Sequence, residues 1–546
     1  MSLATIGVSR AATLAKRAAD EAYYAAVCAR AGVFGIEPPL RVLRLGLAVE
    51  RYGVLGSLTE AAALRHPDGL AISDEQGELT WRELDDRVNA LASAWRDDGF
   101  RAGDGVALLA RNHRGLIEAM FAAAKLGGKI ILMNTGFSGP QIREVADREG
   151  VDLIVYDEEY TAAIGDYRPR LGTVRAWVET RANADDTLEA QIASSKPTPP
   201  PRPGQPPRLV ILTSGTTGTP KGAGRHVPLS LSPIGGPLSR VPYRSGQIHQ
   251  ICAPIFHALG FSQMILAVSL NATMVIHRRF DPQQALESMA ENRVNTVVMV
   301  PVMLQRMMAL DDAAFESRDL SALRIVFVSG SALSADLARR TLDRLGPVLY
   351  NLYGSTEVAY ATIATPADLT AAPGTVGRVV HGATVKILAE DGAEQPVGKT
   401  GRIFVANTIQ FEGYTGGGHK EIRDGLMSSG DVGHFDESGR LFIDGRDDDM
   451  IVSGGENVFP HEVEELLAGH PAVAEAAAIG VEDDEFGQRL KAFVALRSGK
   501  SVDADTLRAY VKDNLANYKV PREIVFLDAL PRNPTGKVLK RELRDR

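Results

Sequence analysis

Apolar residues recur at helical spacing through the first ~55 positions of the chain. Within them Leu40-Arg-Val-Leu-Arg-Leu-Gly-Leu-Ala-Val49 sets bulky aliphatics beside Arg41 and Arg44. Such a basic amphipathic helix suits two surroundings: the body of the protein, with its arginines in water, or an anionic membrane surface. From Ser57 the texture changes. Short aliphatic runs, Gly105-Val-Ala-Leu-Leu109, Lys129-Ile-Ile-Leu-Met133 and Asp152-Leu-Ile-Val-Tyr156, alternate with helix-like stretches at 84–95 and 116–126. Runs apolar at every position predict strands buried on both faces, hence an α/β fold with parallel-type sheets. Seven prolines in the twelve residues from Lys196 to Pro207 predict an extended connector, because proline donates nothing to a ladder. Further buried strands are expected at 296–300 and 324–328.

Beyond about Gly445 the pattern becomes that of a small α+β domain. Helices are expected at 460–467 and 503–515, the latter with Leu507, Tyr510, Val511 and Leu515 on one face, and strands at 476–481 and 491–496. The expected organisation is a helical N-terminal extension (1–55), a large domain of α/β subdomains (56–445) and a small mobile C-terminal domain (446–546).

Composition narrows the function classes. The 546 residues are 45% hydrophobic and 23% charged, which excludes a largely disordered chain. Lys and Arg number 60 against 68 Asp and Glu, a net charge of −8 with no basic footprint for nucleic acid. Two cysteines, Cys28 and Cys252, make no disulfide scaffold, so a reducing cytoplasm is the expected location. The run from Ser245 to His277 lacks Asp, Glu, Lys and Arg, yet His249, Pro254, His257, Gln263 and Asn271 would be costly in lipid. It reads as a strand and helix of a soluble domain. Asp20, Glu21 and Arg30 interrupt the apolar stretch after Lys16 and Arg17, which argues against a secretory signal. Peripheral membrane contact through 1–55 and a homodimer are the two associations left open.

The chemistry begins at Leu209-Val-Ile-Leu-Thr-Ser-Gly-Thr-Thr-Gly-Thr-Pro-Lys-Gly222, a buried strand followed by glycines, hydroxyls and a lysine. Glycines let backbone N–H groups approach an anion, hydroxyls add donors and Lys221 adds charge, a composition suited to polyphosphate. The loop is not a Walker A motif, since Pro220 precedes Lys221 and Gly222 follows it. The chain also lacks a Gly-x-Ser-x-Gly elbow, which weakens a hydrolase reading.

This loop resembles the signature of the adenylate-forming superfamily, which holds acyl-CoA synthetases, luciferases and peptide-synthetase adenylation domains. Tyr353-Gly-Ser-Thr-Glu357, Ser429-Gly-Asp-Val-Gly433, the stretch from Asp444 through Gly454 and Gly455 to Pro460, and Pro534-Thr-Gly-Lys537 match in order. The likeness looks strongest to fatty acyl-CoA synthetases. It implies that Thr213, Ser214, Gly215, Thr216, Thr217, Gly218 and Lys221 hold the phosphates of ATP. Gly330, Ser331, Ala332 and Tyr353 would line the adenine pocket, with Gly354 and Ser355 beside it. Thr356 would contact phosphates or the substrate carboxylate, and Glu357 would hold Mg2+. Asp431 would accept the ribose hydroxyls, with Arg446 as a second contact. Lys537 would bridge carboxylate and α-phosphate. Rotation about Asp447 would then bring Gly454 and Gly455 to admit the pantetheine arm of CoA. One departure is Gln488 after Gly487, where relatives usually carry Glu.

Ile255-Phe-His-Ala-Leu-Gly260 resembles the segment lining the acyl pocket, which groups His257 with Lys537, Glu357 and Thr356 at the reacting centre. Amino-acid-adenylating relatives carry Asp at the position of His257, so an ordinary amino acid is not the expected substrate. Leu259, Phe261, Met264, Ile265 and Leu266 suit an alkyl chain. The expected reaction makes an acyl-adenylate from a medium- or long-chain fatty acid and ATP, then acyl-CoA, AMP and pyrophosphate. A ligase loading a carrier protein and an inactive nucleotide-binding scaffold are the alternatives.

Overall fold

The computed structural model describes residues 3–544 except 36, 180–185, 214–220, 226–229, 410–412, 416, 448, 450, 454–455, 484–486, 517–518 and 535. The chain forms two compact units: Met1–Met299 with Leu310–Val326 and Thr408–His419, and Val300–Ala309 with Phe327–Asn407 and Lys420–Arg546.

The first unit contains a six-stranded sheet in the order Thr173–Trp177, Val151–Asp157, Gly105–Leu109, Lys129–Leu132, Arg208–Thr213, Lys221–Arg225. All neighbours are parallel except the last pair. Every residue of Gly105–Leu109 is buried, which is why that strand reads as a continuous apolar run. Helix Trp81–Asp97 starts at a reciprocal cap: the Thr80 hydroxyl accepts from the Glu83 amide and the Glu83 carboxylate accepts from the Thr80 amide. Helix Arg114–Lys125 is buried throughout, and its Lys125 ammonium donates to Asp85 and Asn89 at 2.7 Å each. A second group of strands runs Thr296–Met299, Ile248–Ile251, Thr273–Ile276, Leu70–Asp74, Gly77–Thr80, parallel except for the final hairpin. The uncharged 245–277 run is thus two strands around helix Ala258–Ser269, with His249 and Gln263 buried in protein. No described helix is long and apolar enough to cross a membrane.

The proline-rich connector is neither strand nor helix, and the Tyr52 hydroxyl donates to the Pro200 carbonyl at 2.5 Å. Tyr52 belongs to helix Pro39–Gly56, which follows Leu3–Ala31; Tyr24, Cys28 and Tyr52 are fully buried.

In the second unit, Gly401–Ala406 lies between Thr384–Leu388 and Leu426–Phe435, all antiparallel. Strands Leu441–Arg446 and Ile422–Arg423 also pair with Leu426–Phe435. The C-terminal residues build another sheet, in the order Glu456–Val458, Ile451–Ser453, Gly487–Leu496, Val473–Asp483, with Glu523–Phe526 parallel to Gly487–Leu496. Helices Pro460–Ala468 and Ala504–Asn514 cover it, packing Val463, Leu467, Leu507 and Val511 against Ala492 and Val494. The α+β expectation holds for these residues. Tyr510 departs from the expected apolar face and stands edge-on to His470, ring centroids 5.1 Å apart.

Candidate active site

Asp431 sits in strand Leu426–Phe435 directly opposite Arg446, beside an irregularity in register between Val432 and Gly433. Strand Leu349–Tyr353 ends on Tyr353, whose hydroxyl donates to Asp431 Oδ2 at 2.6 Å. Arg446 Nη1 lies 3.6 Å from the other carboxylate oxygen. Burial pushes the Asp431 carboxyl above its ordinary range, opposed by the Tyr353 hydroxyl and by the charges of Arg446, Lys537 and Lys420. Burial, then the Asp431 charge, raises the Tyr353 phenol well above its ordinary value, so Tyr353 remains a donor. An ionised carboxylate has about four lone-pair sites, which leaves Asp431 able to accept from further hydroxyls.

A cavity of about 360 Å3 opens here, lined by Arg402, Lys420, Ser428, Gly430, Arg446 and Asp447. Gly430 has φ +84, and a Cβ there would come within 3.3 Å of Lys420 Nζ. Arg402 donates to Asp447 at 2.8 Å and to Glu421 at 2.7 Å. Sequence reasoning missed Arg402 and Lys420. One is a strand residue and the other follows a glycine-rich stretch, and neither belongs to a recognisable motif.

Gly330, Ser331 and Ala332 follow strand Ile325–Val328, with Gly330 at φ +94 and both Gly330 and Ala332 exposed. Ser329 Oγ donates to the Leu352 carbonyl at 2.8 Å, tying this loop to the strand that carries Tyr353. After Tyr353, Gly354 is required sterically, because a Cβ would lie 2.0 Å from the Ala359 carbonyl oxygen. The Ser355 hydroxyl accepts from the Glu357 and Val358 amides and donates to Glu357 Oε2 at 2.9 Å. Thr356 and Glu357 are half-buried. No cluster of three or more His, Cys, Asp or Glu among the described residues could hold a metal ion, and Glu357 belongs to no such cluster.

Lys537 lies on a turn closed by the Asn533 amide donating to the Lys537 carbonyl and the Asn533 side chain accepting from the Lys537 amide, both at 2.9 Å. Gly536, buried at φ +82, packs where a Cβ would meet Val302 Cγ1 at 2.4 Å. Lys537 itself is exposed, and its charge acts on Asp431. Three expected residues, Tyr353, Arg446 and Lys537, therefore converge on the carboxylate of a fourth, Asp431. Gly454 and Gly455 lie outside the described residues.

In the first unit, Thr213 pairs with Lys221, the described residues on either side of 214–220. Ser214, Gly215, Thr216, Thr217 and Gly218 lie outside the described residues. Just after Lys221, Gly222 is boxed in: a Cβ would lie 2.5 Å from Thr415 Oγ1 and 2.9 Å from Glu149 Oε1. The Thr415 amide donates to the Gly222 carbonyl at 2.8 Å, and its hydroxyl to Glu149 at 2.5 Å. Burial raises the Glu149 carboxyl, but hydrogen bonds from Lys129 and Thr415 outweigh it and hold it below the ordinary range.

His257 immediately precedes helix Ala258–Ser269 and contacts the Phe256 ring, centroids 4.6 Å apart. Its Nε2 is buried without a hydrogen-bond partner among the described residues, and burial lowers its pKa to about 3. The imidazole is therefore neutral at physiological pH. Leu259, Met264 and Leu266 are buried, while Phe261 and Ile265 keep partial exposure.

The chain matches the AMP-binding enzyme family over residues 59–415 and the AMP-binding enzyme C-terminal domain over residues 462–537. It belongs to this family and is an adenylate-forming enzyme. It is 32% identical to indoleacetate–CoA ligase of Aromatoleum aromaticum, with 88% of this chain and 95% of the relative covered. It is 33% identical to feruloyl-CoA synthase of an Amycolatopsis species, over 90% and 99%. Among solved structures, o-succinylbenzoate CoA synthetase from Bacillus subtilis, in complex with its acyl-adenylate intermediate, matches with a TM-score of 0.76 and 25% identity over 90% and 98% of the two chains. The superfamily expectation holds. The narrower emphasis on fatty acyl-CoA synthetases is not shown by these relatives, which are named for indoleacetate, feruloyl and succinylbenzoate substrates.

Proposed function

We propose that this chain activates an apolar carboxylic acid, an aromatic acid being the first candidate, and transfers the acyl group to CoA. A carboxylate oxygen attacks the α-phosphorus of ATP and the bond to pyrophosphate breaks. The CoA thiol, losing its proton to solvent, then attacks the acyl carbon and AMP leaves.

The observation that carries this reading is the convergence of Tyr353, Arg446 and the Lys537 charge on Asp431 beside the 360 Å3 cavity. Asp431 accepts the ribose hydroxyls, with Tyr353 and Arg446 fixing its oxygens. Lys537 meets the attacking carboxylate and the α-phosphate, offsetting the repulsion of two anions, a task suited to a point charge on a long stem. Thr356 contacts the phosphates or the acid. A single carboxylate suits Mg2+, which commonly takes one or two protein carboxylates with substrate phosphates and water rather than a full cage. Glu357, oriented by Ser355, would be that ligand. When bound, the ion neutralises phosphate charge. The hydroxyls and amides of 213–218, with Lys221, cradle the polyphosphate, and Gly330 to Ala332 border adenine. The division at 55 and 445, the pivot at Asp447 and the CoA role of Gly454 and Gly455 belong to the same proposal.

His257 supports the choice of acid. A substrate ammonium opposite a neutral imidazole would be desolvated without a counter-charge, so acids lacking an amino group are favoured. The relatives' names favour an aromatic acid; the partly exposed Phe261 and Ile265 favour a fatty acid as the second reading.

The test is ATP–pyrophosphate exchange with indoleacetate, ferulate, 2-succinylbenzoate, octanoate, palmitate and amino acids, followed by CoA addition and mass spectrometry. Exchange and acyl-CoA formation are expected with an aromatic acid. Strongest exchange with an amino acid, or none with any acid despite ATP binding, would overturn the proposal.

A further inference from the structure

Ten large apolar side chains are exposed among the described residues, and six of them, Tyr23, Phe34, Leu40, Val42, Leu43 and Leu47, fall within 25 consecutive residues. Helix Pro39–Gly56 shows why this is not ordinary surface. It buries Ala48 and Tyr52 against the body. At about 100° per residue, Leu40, Leu43 and Leu47 lie within about 60° of one another on the side facing away. Their exposures are 61%, 58% and 52%. A surface helix of a globular protein normally places polar residues there. An apolar cluster of this kind marks a docking surface.

Charge selects the occupant. Arg44 is exposed on the same helix, and Lys16, Arg17 and Arg30 are exposed on helix Leu3–Ala31, which precedes it. The two acids nearest to the leucines in sequence, Glu37 and Glu50, are each three residues away and each paired with an arginine, Arg41 at 2.7 Å and Arg202. This basic region sits on a chain of net charge −8. A second copy seated symmetrically on the same face would cover the leucines but set cations against their own equivalents. An anionic bilayer accepts both components, apolar side chains at the acyl boundary and cations at the phosphates. No described helix can cross the membrane, so the contact is parallel to its plane.

We propose that the face carrying Leu40, Leu43, Leu47 and Arg44 docks on the surface of an anionic lipid bilayer. The test is flotation of the full chain with vesicles of phosphatidylcholine alone and of phosphatidylcholine with 30% phosphatidylglycerol (roughly the range where surface potential becomes appreciable). Wild-type protein should float with the anionic vesicles and be released by 0.5 M NaCl, about where the Debye length falls to a few ångströms. The triple variant Leu40→Ser, Leu43→Ser, Leu47→Ser should lose at least about tenfold in partition. Arg44→Gln should weaken binding to the anionic vesicles only. ATP binding and a melting curve check that the variants are folded. Wild-type protein that does not float, or a folded triple variant that floats equally well, overturns the proposal. So does a wild-type dimer that the leucine substitutions dissociate without any lipid binding, which would assign the face to a second copy.

Discussion

The position of Lys537 depends on a contact made by its neighbour, and Gly536→Ala isolates that contact. At φ +82 a β-carbon costs about 1–2 kcal/mol of backbone strain. It would also lie 2.4 Å from Val302 Cγ1. Ordinary carbon contacts are about 3.5–4.0 Å, so the turn has to retreat by about 1 Å. Displacement of a reacting group by that distance costs about a hundredfold in rate. Gly536→Ala should therefore slow acid-dependent ATP–pyrophosphate exchange about a hundredfold. Thioester formation from supplied acyl-adenylate and CoA should change little, because Lys537 is assigned to the first half-reaction only. Adding Val302→Ala removes the offending methyl but not the strained φ, so the double variant should recover roughly tenfold and not the whole loss. Two results refute the reasoning: exchange unaffected by Gly536→Ala, or both half-reactions slowed equally.

Three further outcomes follow from the same geometry. Lys537→Ala should abolish exchange while sparing thioesterification of supplied acyl-adenylate; equal loss of both would remove Lys537 from adenylation. Tyr353→Phe deletes a hydrogen bond to a carboxylate, worth about 1.5–3 kcal/mol, and should raise the KM for ATP about tenfold or more without changing that for the acid. It should also shift the acid limb of ATP binding to higher pH, since Asp431 loses a donor that favours its charged form; an unshifted profile would contradict this. Burial lowers His249 and His257 to about 3, so between there and the unfolded value near 6.5 the unfolded chain binds more protons and stability falls as pH falls. Each group contributes about 1.4 kcal/mol per pH unit in the middle of that window. In urea titrations from pH 6.5 to 4, His257→Gln should lower the slope by that amount, and an unchanged slope would exclude the burial account.

Part of the candidate site was legible in one dimension because Tyr353, Asp431, Arg446 and Lys537, which the structure brings together, sit in short motifs whose steric demands are local. Gly354 shows such a demand: the Ala359 carbonyl forbids any side chain five residues away. Strands were equally legible where burial on both faces made every residue apolar, as in Gly105–Leu109. Arg402 and Lys420 were not legible. Arg402 borders the cavity because antiparallel pairing sets strand Gly401–Ala406 beside Leu426–Phe435, and Lys420 because it precedes Ile422–Arg423, which pairs with that same strand; pairing leaves no trace in local composition. The Tyr353 bond to Asp431 spans 78 positions and needed two sheets in place.

The helix at Pro39–Gly56 draws the boundary most clearly. Periodicity alone determined that it is amphipathic and basic, but not which of its faces meets the protein. Only the tertiary structure decided that, by burying Ala48 and Tyr52 and leaving Leu40, Leu43 and Leu47 in water. An apolar stripe is a local property of sequence. What covers it is decided by the surfaces that distant segments present, and here Pro200, 148 residues beyond Tyr52, is one of them.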